Sequence, residues 1–600
     1  MNTVSAPEQG TGSKTMADLA SLAAAKYADN PALRHKSGDT HEDTGEWAEI
    51  SYTELGEAVS EVARGLIDLG IEHGDKVSIL SHTRPDWTFA NLAIFSAGAV
   101  SVSVYQTNSL EECHYVLEHS ESKAVFVEDV EQLEKVRQVS DRLPNLQHVV
   151  VFESSGNIGE TVSLDDLRER GRGRDAKELE ERVQGVGTDD LAITIYTSGT
   201  TGPPKGCLLT HGNYRDVTSM TESMGVLQEG EMVYLFLPLA HAFAKLIQYV
   251  TLDVGGCIAY WEKDATKIVP NLTEVKPTYF PSVPRMFEKI YTLATAHAED
   301  PEKLKQAVDL GLKVRLADHS GQEVSDEERQ GFDAAEEALY KNVRALFGGE
   351  IRQCVTGAAP IAREILEFFY ACGVPVMEGY GMTETSTVAT ANTPESFRFG
   401  SVGKPLPHVE AKVAADGELV LKGPNIFQGY YKDEEATGET LVEGWLHTGD
   451  LGSIDDDGYV FITGRKKDII ITAGGKNITP ANLENGLKQN RWISQAVVVG
   501  DRRPYLIALI TLDPDEAPAF ASQHGLEVGE LPGSEEMRAE VQKVIDEVNS
   551  HVGPVEQVKR FEILPEDLSQ ESGELTPTLK VKRNVVHERH AGEIDDLYSG

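Results

Sequence analysis

Residues 195 to 206 read IYTSGTTGPPKG, and the residue types gathered there are those that hold a polyphosphate. Gly199 and Gly202 let backbone approach a ligand, and successive N–H groups in such a turn form a concave anion site. Thr197, Ser198, Thr200 and Thr201 add hydroxyl donors, and Lys205 adds a cation. A Walker A loop is excluded: the glycines are too close together, Pro203 and Pro204 stiffen the approach, and Gly206 follows Lys205. A surface turn has the same composition, so the stretch needs partners elsewhere in the chain.

Candidate partners exist. VTGAAP (355–360) reads as a strand ending in small residues, which leaves room for a flat ring. GYGMTET (379–385) puts Tyr380 between Gly379 and Gly381, an aromatic able to stack on a base, with Glu384 behind it as a magnesium ligand. HTGD (447–450) offers Asp450 to ribose hydroxyls, and Arg465 follows Gly464 as a cation. PLAHAFAK (238–245) sets His241 and Phe243 at another strand end. Singly, each has a plainer reading as turn glycine, core tyrosine, helix cap or surface arginine.

The elements that must position these residues follow an α/β rhythm. KVSIL (76–80), SVSVY (101–105), KAVFV (123–127) and HVVVF (148–152) read as buried strands, with a helix in DWTFANLAIFSAGA, which predicts a largely parallel sheet. Residues 1–15 read as a loose tail before a helix near Met16 to Tyr27. A charged helical insert spans 291–349, with Leu339, Val343, Leu346 and Phe347 on one face. ADGELVL and IDDDGYVFI read as hairpins; DDDG lacks the alternate-residue ligand spacing of a calcium loop and reads as a turn. GRKKDIIITAGGKNITP (464–480) marks a boundary, and beyond it come strands QAVVV and YLIALITL and a helix whose Val541, Val544, Ile545 and Val548 form a face.

Composition narrows the class. A chain of 600 residues holds several cores, and 40% hydrophobic with 25% charged residues is ordinary for a globular protein. A net charge of -42 argues against nucleic acid or an anionic membrane surface as an electrostatic partner. Five cysteines (113, 207, 257, 354, 372) form no CxxC pair, which suits a reducing, cytoplasmic setting. No run reaches the roughly 18 apolar residues of a membrane helix, so membrane contact is expected to be peripheral if it occurs. Oligomeric state is left open, a dimer included.

Taken together, YTSGTTGPPKG, GAAP, GYGMTE, GWLHTGD, ITGRKKDII, GGKNI and LTPTLKVKR run in the order found in the AMP-forming adenylating enzymes, the superfamily of acyl-CoA synthetases, luciferases and peptide-synthetase adenylation domains. The chain closely resembles that superfamily from about Asp29 to Arg583. It looks most like long-chain fatty acyl-CoA synthetases, through FPSVPRMFEKIY (280–291) and the insert behind it. The implied fold is a large N-terminal adenylate-forming domain (16–464) of mixed sheets and helices, a hinge at 465–468, and a small mobile α+β domain (469–600).

The resemblance implies roles residue by residue. Thr197 to Lys205 would wrap the β- and γ-phosphates of ATP. Gly357, Ala358 and Ala359 with Tyr380 would sandwich adenine, the neighbours Glu378, Gly379, Gly381, Met382, Thr383 and Ile462 would complete the nucleotide site, and Asp450 with Arg465 would hold the ribose. Glu384 would bind Mg2+. His241 and Phe243 would meet the fatty acid, with His241 near its carboxylate and the α-phosphate. Lys580 would supply a further cation to adenylation. Lys467 would be the hinge about which the small domain turns so that Gly474, Gly475, Lys476 and Asn477 line a channel for coenzyme A. In one departure, some relatives carry a tunnel-gating tryptophan shortly after the histidine, where this chain reads AFAK. The implied reaction turns a long-chain fatty acid, ATP and CoA into acyl-CoA, AMP and pyrophosphate. The alternatives are an acyl-AMP ligase that loads a carrier-protein phosphopantetheine, and a non-catalytic nucleotide- or lipid-sensing relative.

Overall fold

Lys76–Leu80, Val100–Val104, Ala124–Val127 and His148–Val151 form strands within a residue of the runs that predict them. They pair in parallel, and consecutive residues along them are buried, which requires cover on both faces. The computed structural model describes residues 10–36, 45–197, 203–295, 300–474, 476–576 and 580–599. Among them, these strands belong to an eight-stranded sheet that continues through Leu191–Thr197 and then turns antiparallel at Lys205–Thr210.

A second sheet, of nine strands, runs in parallel through Gln353–Thr356, Tyr279–Ser282, Met232–Leu235 and Cys257–Tyr260, with Val376–Tyr380 beside Gln353–Thr356. Between the sheets lies the helix Ala242–Val254, buried at every position but Phe243. Its core draws Val77 and Ile193 from one sheet and Val233 and Ile258 from the other. A five-stranded antiparallel sheet follows, built on Glu410–Val413, Glu418–Lys422, Trp445–Ile454 and Val460–Arg465. Its two predicted hairpins are present. In DDDG, Asp455 Oδ1 accepts from the N–H groups of Asp457 (3.0 Å) and Tyr459 (2.9 Å), and Arg398 pairs with Asp455 and Asp457, so the aspartates serve a turn.

The helical insert begins earlier than 291, at the helix Pro284–Thr295, and continues through Pro301–Ser320, Asp326–Ala335 and Lys341–Ala345. Val343 and Phe347 are buried as expected, and Leu339 and Leu346 pack on the same core. From Ile470 onward the apolar clusters draw only on residues of the C-terminal part, around a three-stranded sheet and the helix Glu535–Ser550, whose Val541, Val544 and Ile545 are buried.

The expectation of a loose tail through residue 15 is corrected for Gly10–Thr15. Thr11 N donates to Asp253 (3.0 Å), Met16 N donates to His211 Nδ1 (3.1 Å), and Ser13 and Thr15 are buried. The anchor is a buried polar cluster in which Arg215 pairs with Asp253 at 2.8 Å, while burial and neighbouring Asp253 push the Glu222 carboxyl up to about 10. All five cysteines are free and buried, and burial pushes their thiols up, Cys113 to about 11 and Cys257 and Cys372 to about 12. Among the described residues no helix is long and apolar enough to cross a membrane.

Candidate active site

The antiparallel pairing of Leu191–Thr197 with Lys205–Thr210 sets Thr197 opposite Lys205, so the two ends of the glycine-rich stretch stand side by side. Ser198, Gly199, Thr200, Thr201 and Gly202 lie outside the described residues. Lys205 Nζ lies 3.4 Å from Asp433 Oδ2 and 5.1 Å from the centre of the Tyr430 ring. Asp433 caps the helix Glu434–Thr440 with its other oxygen, which accepts from Ala436 N at 3.0 Å. Tyr430 also reaches Glu384: its hydroxyl donates to Glu384 Oε1 at 2.7 Å, and Glu384 is 7% exposed. The expected phosphate cation and the expected metal ligand are thus joined through one tyrosine.

Tyr430 and Asp433 are the residues that sequence reasoning misses. GYYKDEEAT forms a strand end followed by a capped helix, and no local spacing places Tyr430 beside a carboxylate 46 positions away.

The strand ends that the resemblance assigns to the nucleotide lie side by side in the second sheet. Val376–Tyr380 lies beside Gln353–Thr356, bringing Gly379 next to Gly357, where a Cβ would stand 3.1 Å from Gly379 O. Ala358 and Ala359 are exposed at the strand end, Ala358 with a left-handed φ of 69°. Gly381 is required, since a Cβ there would lie 2.0 Å from Thr387 O. Met382 and Thr383 lead into the short helix that carries Glu384. Burial pushes the Glu378 carboxyl up to about 8, leaving it able to donate as well as accept near neutral pH.

Asp450 is 4% exposed, and both its oxygens are engaged: Oδ2 accepts from the Tyr380 hydroxyl at 2.6 Å and Oδ1 from Arg465 Nε at 3.0 Å. The expected base platform and the expected ribose clamp are therefore one hydrogen-bonded unit, which fixes the tilt of the tyrosine ring. Ile462, three residues before Arg465 on the same strand, packs against the large core.

His241 caps the central helix Ala242–Val254. Its Nδ1 accepts from Phe243 N at 3.3 Å, so the ring proton resides on Nε2. Burial, assisted by the charge of Lys580, depresses its pKa to about 3, and the imidazole is neutral at physiological pH. One turn further, in AFAK, Lys245 is fully buried with Nζ 3.9 Å from the centre of the Trp87 ring, and burial holds its pKa well below the usual lysine range. No sequence signal marks that lysine as a core residue.

Lys580 arrives from the other end of the chain. Thr576 and Lys580 exchange hydrogen bonds, Thr576 N to Lys580 O at 2.8 Å and Lys580 N to Thr576 Oγ1 at 3.0 Å. Its side chain is exposed. Desolvation first and Arg465 second bring its pKa down to about 8, against the pull of Asp450 and Glu384. The lysine thus sits among the residues that the sequence assigns to ribose, metal and carboxylate.

Lys467 is exposed, between two residues that are anchored oppositely. Lys466 pairs with Asp416 (2.5 Å) and Glu418 (3.2 Å) of the antiparallel sheet, and Asp468 lies 4.0 Å from Arg583 of the C-terminal part. The residues assigned to a CoA channel are not at the nucleotide site: Gly474, Lys476 and Asn477 are exposed, and Lys476 pairs with Glu556 at 3.4 Å. Gly475 is outside the described residues.

The large N-terminal unit of mixed sheets followed by a small C-terminal unit is the adenylate-forming fold. The chain belongs to the AMP-binding enzyme family, which matches residues 21–431, and the C-terminal domain of AMP-binding enzymes matches residues 467–600. It is 38% identical over 569 residues to the long-chain-fatty-acid–CoA ligase FadD15 of Mycobacterium bovis, covering 92% of this chain and 93% of that protein. It is 34% identical to the long-chain-fatty-acid–CoA ligase ACSBG2 of Xenopus laevis, over 96% of this chain and 82% of the other. Among solved structures, O-succinylbenzoate coenzyme A synthetase from Bacillus subtilis, in complex with ATP and magnesium ion, shares the fold with a TM-score of 0.68 at 22% identity, over 94% of this chain and 98% of the other.

Proposed function

We infer that this chain activates a long-chain fatty acid with ATP to give acyl-AMP and pyrophosphate, then transfers the acyl group to coenzyme A. The observation that supports the reading is that Lys580, from the C-terminal part, lies within electrostatic reach of Glu384, Asp450, Arg465 and His241, because a protein that only sensed a nucleotide would not need a second lysine there. The long-chain assignment is supported by relatives named for that substrate.

The chemistry follows from the side chains. A fatty acid is ionised at neutral pH, so its attack on the α-phosphate needs no general base; it needs alignment and stabilisation of spreading charge. The neutral His241 has its Nε2–H available to the carboxylate or the α-phosphate. Lys205 brings positive charge from the large unit and Lys580 from the C-terminal unit. Glu384, a hard oxygen donor held by Tyr430 beside Lys205, fits Mg2+, which when bound would offset charge on the polyphosphate. In the second step the CoA thiolate forms the thioester and AMP departs. For that step the small unit is read as turning about Lys467, so that Gly474, Lys476 and Asn477 replace Lys580 at the cleft. A cytoplasmic setting with at most peripheral membrane contact belongs to the same reading, supported by five unpaired cysteines.

The test is an assay with ATP and a chain-length series of fatty acids, with and without CoA. AMP as product, with acids of roughly 12 to 18 carbons outperforming acetate, is expected, since each buried methylene contributes about 0.8 kcal/mol. ADP as product would end the adenylation reading, and preference for acetate would end the long-chain one.

A further inference from the structure

FPSVPRMFEKIY enters the sequence reading only as a subfamily mark, and nothing in the nucleotide site uses it. The helix Pro284–Thr295 that it begins has two working faces. One is buried in the large unit: Phe287 and Ile290 have no exposure, and Phe287 meets Phe280 and Phe369 edge to face, each at 5.9 Å between centroids. The other carries Arg285, Glu288 and Lys289, spaced i, i+3, i+4 and therefore neighbours on one stripe.

That stripe meets the C-terminal unit with complementary charge. Arg285 pairs with Asp513, Lys289 Nζ lies 2.5 Å from Asp515 Oδ2, and Glu288 lies in the field of Lys488 as well as of Arg285. Positive, negative, positive on the helix faces negative, positive, negative across the gap. Asp513 is prepared for its part. It is 4% exposed, and its Oδ1 is fixed by the N–H groups of Asp515 (2.9 Å) and Glu516 (3.3 Å), leaving Oδ2 directed at Arg285.

We propose that Arg285 is a positioning residue for acyl-AMP formation. By pairing with Asp513 it holds the C-terminal unit in the orientation in which Lys580 lines the nucleotide cleft, and the pair parts before acyl transfer. The proposal rests on the two-step reading above, and it assigns PRMFEK a role between domains in addition to its packing. A charge pair this close to the rim contributes modestly on its own, but it acts on an equilibrium between two orientations, where a tenfold bias corresponds to only about 1.4 kcal/mol.

The experiment measures both half-reactions on the full chain: ATP-dependent acyl-AMP formation, and acyl transfer to CoA from presynthesised acyl-AMP. Arg285→Ala is expected to slow the first by about tenfold and leave the second at the parent rate or above it. Trypsin should cut the Arg465 to Lys467 segment faster in the variant than in the parent. Asp513→Asn, which keeps the Oδ1 acceptor for Asp515 and Glu516, should slow the first step as Arg285→Ala does, with no further loss in the double variant. Parent-like acyl-AMP formation by Arg285→Ala would overturn the proposal. So would equal slowing of both steps, which marks a structural role, or losses that add in the double variant. A parent protein that makes no acyl-AMP at all would instead sink the functional reading beneath it.

Discussion

Two lysines assigned to the proposed site come from different halves of the chain, and their surroundings differ in kind. Lys205 stands on a strand of the large unit beside Asp433 and Tyr430, which belong to that unit too. Lys580 belongs to the C-terminal unit, and the charges that act on it, Arg465, Asp450 and Glu384, all precede Lys467, the proposed hinge. The first cation is kept in place whatever the domains do. On the two-step reading proposed above, the second is placed against another cation only while the domains are docked, so its effect on the reaction would depend on the conformational state. A static cation suits binding of ATP, which every turnover needs from the start; a delivered one suits a transition state that only one half-reaction passes through.

Removing the delivered lysine breaks this comparison most directly. Lys580→Ala should depress acyl-AMP formation by on the order of a hundredfold or more, as for loss of one preorganised electrostatic group, while acyl transfer from presynthesised acyl-AMP stays near the parent rate. Loss of both steps with an altered circular dichroism spectrum would show that the lysine is structural. The motion that delivers it can be blocked next. Lys467→Pro, which fixes φ between the anchored Lys466 and Asp468, should slow acyl transfer by about tenfold and acyl-AMP formation by less, with Lys467→Ala milder in both. Equal rates for the proline variant and the parent would remove Lys467 from the hinge.

Titration sharpens the contrast. The Lys580 pKa is brought down to about 8, so its ammonium form is present below that pH and lost above it. The kcat/KM for acyl-AMP formation should fall as pH rises past about 8, approaching tenfold per unit, and Lys580→Arg should move the fall to higher pH. A profile unchanged by that substitution would assign the titration to another group. The smallest effect concerns the static side. Tyr430→Phe removes the hydrogen bond to Glu384 and should raise the Mg2+ concentration needed for half-maximal rate by about three- to fivefold, the worth of about one hydrogen bond, with little change at saturating Mg2+. An unchanged Mg2+ dependence would leave Tyr430 a packing residue.

What could be read in the sequence and what could not divide along a physical line. Strand runs such as KVSIL and the face of Val541, Val544 and Ile545 were legible because burial imposes a local period, and glycine-bearing hairpins were legible because turns demand particular residues. The site residues were legible as an ordered set of motifs, and their gathering follows from strand order. Pairings across the fold were not legible: Tyr430 with Glu384, Tyr380 with Asp450, Arg285 with Asp513 and Lys245 with Trp87 join positions that no local pattern relates. The pinned Gly10–Thr15 escaped for the same reason, since its anchor Asp253 lies across the chain.

The five buried thiols have a practical consequence for watching the molecule work. With every native thiol buried and its ionisation suppressed, a cysteine introduced on the surface of each domain would be the fast-reacting pair towards a maleimide dye. Donor and acceptor fluorophores could be attached without first stripping the wild-type cysteines, and the swing of one domain against the other could be followed in single molecules as ATP, fatty acid and CoA are added in turn.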